Sequence, residues 1–85
     1  MASTRKNIVG PVVKQVRESA EMRQDALAAK LTRLGWDCSE NLVSKIEAGY
    51  RRVIDEEIQL LATALEVAPG DLFPATKKKR PSIPQ

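Results

Sequence analysis

Apolar positions recur at helical spacing along this chain, and glycine, proline and short polar runs interrupt them. Leu27, Ala28, Leu31 and Leu34 stand at i, i+1, i+4 and i+7, one face of a helix opened by Gln24-Asp25 and stopped by a left-handed Gly35. After the turn Trp36-Asp37-Cys38 a second periodic stretch carries Leu42, Val43 and Ile46 to Gly49. Ser39 is the favoured cap of that helix; the alternative is a capping box of Asp37 with Glu40. Upstream, Gly10-Pro11 starts a helix with Val12, Val13, Val16 and Ala20 on one side, ending near Glu21. Downstream, Asp55 caps a helix with the stripe Ile58, Leu61, Ala62 and Leu65, and Pro69 starts a last short helix with Leu72 and Phe73 before Pro74 breaks it. The pattern predicts an all-α, compact five-helix domain over 10–74, between a flexible N-terminal arm at 1–9 and a disordered basic tail at 75–85.

Several polar residues are left over once the apolar faces are assigned. On the helix after Ser39, Glu40, Asn41, Ser44 and Lys45 point away from the buried stripe, the layout of a helix read from outside, as in a DNA groove. Gln24 stands at a helix start, where its amide can bridge to a phosphate. Arg51 and Arg52 are adjacent in the linker Tyr50-Arg51-Arg52-Val53, suited to a bidentate grip on phosphate or to plain solvation. Arg17 lies beside apolar Val16, and Glu47 is its candidate partner; the alternative is two independent surface charges. Leu60 falls off the helical stripe, as an ordinary surface leucine or part of a subunit contact.

At 85 residues the chain suits one small domain. A single cysteine, Cys38, and no histidine argue against a disulfide, a structural metal and a nucleophile-base pair, so neither an enzyme nor a cofactor is expected. Cys38 reads as a small semi-buried residue before it reads as a redox sensor. No apolar run approaches the roughly 20 residues of a membrane span, and the start lacks the apolar core of a signal peptide, so the expectation is a cytoplasmic protein away from membranes. The net charge of +3 is modest but polarised: +4 over 1–53, −5 over 54–73 and +4 over 74–85. Such a chain can offer one face to a polyanion while the opposite face is repelled. Lys77-Lys78-Lys79-Arg80, between prolines, is either a solvated end or an electrostatic arm without sequence preference.

From Gly10 to Phe73 the chain resembles the lambda-repressor-like, or Cro/XRE, helix-turn-helix family. The carriers are Val13 with Val16-Arg17, Gln24 three residues before Leu27-Ala28, the run Val43-Ser44-Lys45-Ile46-Glu47-Ala48-Gly49, Leu61-Ala62 with Ala64-Leu65 and Val67, and Asp71-Leu72. The resemblance implies five short helices, with the second and third forming the motif and the third in the major groove. It implies base contacts from Glu40, Asn41, Ser44 and Lys45, phosphate contacts from Gln24, Arg51 and Arg52, and a buried ion pair of Arg17 with Glu47; Ser39 is a further expected phosphate contact. Three features depart from the pattern. Glu21 and Arg23 replace the usual glycine and hydroxyl residue before helix two, the stretch from Thr32 to Cys38 is longer, and the basic tail is additional. Trp36, in the lengthened turn, is expected to plug the gap between helices two and three.

The expected function is therefore a sequence-specific double-stranded DNA-binding transcriptional regulator, a dimeric repressor with no cofactor. Leu60, Leu72 and Phe73 are its expected homodimer contacts. A phage repressor and a restriction-modification controller are not separable on these residues. The alternative from another class is a protein-interaction module, such as an antitoxin or accessory factor, with only weak non-specific DNA binding.

Overall fold

The computed structural model describes residues 5–74. The expectations for 1–4 and for the tail at 75–85, including Lys77 to Arg80, lie outside the described residues. Four α-helices follow one another: α1 (Gly10–Ser19), α2 (Gln24–Arg33), α3 (Glu40–Ala48) and α4 (Asp55–Leu65). The expected fifth helix is instead a single 3-10 turn, Pro69–Leu72. Only a few residues separate Pro69 from Pro74, too few for an α-helix to close its i to i−4 bonds, and the Asp71 carboxylate accepts from Ala68 N at 3.2 Å to cap the tighter turn. The described residues are thus all-helical, and α2 with α3 forms the helix-turn-helix pair.

One core joins all the helices. Val9, Val13, Leu27, Leu31, Val43, Ile46, Leu61 and Leu72 are its largest fully buried side chains. Each fully buried leucine or valine contributes roughly 1.5–3 kcal/mol over its exposed state. Ala28, Ala62, Ala64 and Leu65 are buried between them, and Val16, Trp36, Leu42, Ile58, Leu60 and Val67 pack at the edge. Trp36, half-buried, closes the corner left by the long α2–α3 turn, as its position in the sequence suggested.

Three local expectations need correction. Leu34 is not on the buried face of α2: the α-geometry ends at Arg33, Leu34 becomes the C-cap with ψ of 0°, and its side chain is 41% exposed. Asp55 does not cap α4 but is its first helical residue; Ile54 occupies the cap position, and the Glu57 carboxylate satisfies Ile54 N at 3.1 Å. Residues 5–9 are not a free arm. Val9 is 2% exposed and Asn7 9%, because hydrogen bonds to the end of α3 carry this segment into the core.

Candidate nucleic-acid interface

The helix α3 is anchored at both ends. At its start the Ser39 hydroxyl accepts from Leu42 N at 3.1 Å, so Ser39 and not Asp37 is the cap. Val43 and Ile46 are buried and Leu42 half-buried, which leaves Glu40, Asn41 and Lys45 exposed and Ser44 half-buried on the opposite side. Gln24, at the first turn of α2, lines an open cleft with Glu40, Asn41 and Ser44. Glu40, Asn41 and Ser44 therefore share one cleft with the start of α2, while Lys45 is exposed outside its lining.

A helix end leaves its last carbonyls without intrahelical donors. Here Gly49 turns left-handed at φ 84°, and Tyr50 N reaches back to Lys45 O at 2.9 Å. Residues 5–7 supply the rest. Asn7 Nδ2 donates to Ile46 O at 3.0 Å, the Arg5 guanidinium to Glu47 O at 2.9 Å and Ala48 O at 3.3 Å, and Lys6 N to Gly49 O at 2.8 Å. The same Asn7 amide nitrogen donates to Arg51 O at 2.7 Å, and Asn7 Oδ1 accepts from Gly10 N at 2.8 Å to cap α1. Gly10 permits this approach, since a Cβ there would collide with Ile46 O.

Behind the exposed face lies a buried ion pair. Arg17 Nε donates to Glu47 Oε2 at 2.6 Å and Arg17 Nη2 to Glu47 Oε1 at 3.1 Å, with side chains 8% and 4% exposed. Arg17 Nη1 also donates to Met22 O at 2.7 Å, and Gln24 Nε2 to Glu47 Oε1 at 2.9 Å. The hydrogen bond to Glu47 pushes the Arg17 guanidinium above its ordinary pKa, against the opposing effect of burial. Such a pair loses hydration on both partners, and its full complement of hydrogen bonds offsets that cost. It ties α1, the start of α2 and the end of α3 into one unit. Gln24, expected on a phosphate, has its amide nitrogen on Glu47 here.

The linker after α3 holds a second charge pair. Arg51 forks onto Glu57, Nη1 to Oε1 and Nη2 to Oε2 both at 2.8 Å, and its guanidinium lies 5.5 Å from the centroid of the Trp36 ring. The Arg51 hydrogen bonds hold the Glu57 carboxyl below its ordinary range despite partial burial, and they raise Arg51 in turn. The guanidinium expected on phosphate is thus engaged within the fold, while Arg52 is exposed beside it. Burial pushes the Cys38 thiol up, with Arg51 partly opposing, and the residue is 4% exposed. It is buried where semi-burial was expected.

No family model and no curated protein matches the sequence. Solved structures do match the fold. The restriction-modification controller protein C.AhdI from Aeromonas hydrophila aligns with TM-score 0.68 and 29% identity over 76% of this chain and 87% of that one. The P22 c2 repressor, solved with a synthetic operator, aligns with TM-score 0.65 and 23% identity over 78% and 92%. The DNA-binding domain of BldD aligns with TM-score 0.69 and 22% identity over 87% and 100%. The fold is that of the Cro/XRE-type helix-turn-helix regulators.

In this Cro/XRE-type fold Leu60 is half-buried and Phe73 is 42% exposed, but Leu72 is 0% exposed. Leu72 therefore fills its own core and is not available to a partner subunit, a correction that follows from the 3-10 turn folding it inward. What Arg5, Asn7 and Glu57 bond to was not assigned from the sequence, and Trp36 was assigned to the gap between α2 and α3 but not to Arg51. Only Glu57 left a signal there, standing three residues after Ile54 in the position of a capping-box acid. Among the described residues no cluster of three or more metal-ligating side chains occurs, and no helix is long and apolar enough to cross a membrane.

Proposed function

We propose that this protein is a sequence-specific double-stranded DNA-binding transcriptional regulator, a dimeric repressor that lays α3 in the major groove. The observation that carries the reading is the exposed set Glu40, Asn41 and Lys45 with Ser44 on a helix braced at both ends, beside the start of α2. On this reading Asn41 pairs with adenine N6/N7, Lys45 donates to guanine O6/N7 and Glu40 accepts from cytosine N4. Ser39, Arg52 and Gln24 serve the flanking phosphates, Gln24 through the part of its amide not given to Glu47. Arg51 has already given part of its guanidinium to Glu57 and is half-buried, so Arg52 carries more of the linker's electrostatic contact. The solved neighbours favour the same class: one is a restriction-modification controller, one a repressor bound to its operator and one a DNA-binding domain.

The test is selection of bound fragments from sheared genomic DNA at near-physiological salt, with wild type and an Asn41→Ala/Lys45→Ala double variant in parallel. The expected result is a symmetric motif enriched by the wild type and lost by the variant, at about 1–3 kcal/mol of base discrimination per pair removed. Equal, unpatterned binding by both proteins overturns the reading and leaves a protein-interaction module with non-specific DNA affinity.

A further inference from the structure

We infer that Asn7 is a positioning residue for DNA recognition: it holds α3 and the Arg51-Arg52 linker in one fixed relation, so that base and phosphate contacts are made together. The inference rests on the proposed regulator reading and concerns how the interface is held in shape.

A helix that reads bases must present its side chains at a set tilt relative to the groups that grip phosphate, because phosphate contacts fix register and base contacts fix sequence. In this protein the phosphate-side residue Arg52 is exposed and follows α3 on an irregular linker in which Tyr50 is 73% exposed while Arg51 and Val53 are half-buried. Asn7 crosses that joint from below. One amide nitrogen bonds Ile46 O in the last turn of α3 at 3.0 Å and Arg51 O in the linker at 2.7 Å, using both of its hydrogens. Its oxygen bonds Gly10 N at 2.8 Å at the start of α1, whose Arg17 is paired with Glu47 of α3. A single 9%-exposed side chain thus joins the frame helix, the reading helix and the phosphate-side linker. Its neighbours Arg5 and Lys6 bond carbonyls that lie between those two, Glu47 O, Ala48 O and Gly49 O.

The substitution Asn7→Asp separates the functions of the two Asn7 atoms. A carboxylate keeps the acceptor that caps α1 but loses both donors, and it faces the carbonyls of Ile46 and Arg51 with no hydrogen to give. The full chain, wild type and Asn7→Asp, is titrated with the duplex selected by the wild type and with a scrambled duplex of equal length and charge, at several salt concentrations and well below the thermal midpoint found by circular dichroism. The expected result is a loss of about tenfold or more in affinity for the selected duplex, and less than about twofold for the scrambled one, with helicity retained. A purely structural role lowers the thermal midpoint and leaves the ratio of the two affinities unchanged, and that result overturns the inference.

Should Asn7→Asp fail to fold, Lys6→Pro against Lys6→Ala replaces it. Both remove the lysine charge, but only proline removes the N–H that bonds Gly49 O. A lower ratio of selected to scrambled affinity in Lys6→Pro alone supports a bonded joint; equal ratios overturn it. A wild type that selects no motif removes the regulator reading and this inference together, whereas a wild type that selects a motif which Asn7→Asp reads equally well removes only this inference.

Discussion

Glu66 and Glu21 occupy left-handed backbone, at φ 61° and 57°, where a side chain is crowded against the following carbonyl. Glu66 sits there because α4 ends on it: as C-cap it donates from its own N–H to Thr63 O, and Val67 N reaches Ala62 O at 3.0 Å. Its side chain, 80% exposed, lies 3.6 Å from Lys30, an exposed contact of the kind that contributes little. Removing the side chain therefore relieves more strain than it loses contact. Glu66→Gly is expected to stabilise the protein by about 0.5–1 kcal/mol in urea denaturation, after the entropy cost of glycine is set against the left-handed penalty. Gly49, at φ 84°, is the opposite case: glycine already stands where the chain turns left-handed, with the Arg5 side chain laid across it.

Between elements, one carboxylate joins the linker after α3 to the start of α4. Glu57 accepts two bonds from Arg51 and one from Ile54 N, so it closes the α3–α4 linker and caps α4 at once. Its folded pKa is depressed, chiefly by Arg51. The sign follows: the stability it supplies is complete above the ordinary glutamate value of about 4.3 and is lost as pH falls through the lower folded value. Thermal midpoints measured from pH 7 down to pH 3 should fall for the wild type in that acid window. Glu57→Gln should start lower at pH 7 and fall less steeply, and parallel curves for the two proteins would show that the carboxylate charge is not what holds the linker.

Across the whole molecule the charge is arranged in blocks. The acidic block over 54–73 covers α4 and the 3-10 turn, while the basic residues Lys45 and Arg52 lie on α3 and the linker after it. A polyanion is thereby favoured on the α3 side and disfavoured on the α4 side. If the protein is a two-fold reader, its subunits meet away from α3, and Phe73 and Leu60 at the edge of α4 and the 3-10 turn are the residues available for that contact. Each protomer would then read one half-site, with centres about 34–36 Å apart. Sedimentation at micromolar concentration is expected to show a dimer that Phe73→Asp converts to monomer while helicity is retained; a wild type that stays monomeric with and without its selected duplex counts against the dimeric repressor.

The sequence by itself located α1 to α4, because helical periodicity and the stops at Gly35 and Gly49 are local properties, but not their ends: α1 stops at Ser19 and not near Glu21, where the backbone is left-handed, and α2 stops at Arg33. It likewise determined that Glu40, Asn41 and Lys45 face away from Val43 and Ile46, since that is a matter of angle around one helix. From spacing alone the pairing of Arg17 with Glu47 was one of two alternatives, of which the family resemblance implied the ion pair, and the packing of α1 against α3 brings the two to 2.6 Å. Tertiary structure also decided what local signals could not carry. Asn7 is separated from Ile46 by 39 positions and from Arg51 by 44, and nothing in a short polar stretch marks it as bonded to either. Leu34 and Leu72 exchanged their expected surroundings for the same reason: an element that ends one residue early, or tightens from α to 3-10, rotates the next side chain to another face, and only the packed core settles which face that is.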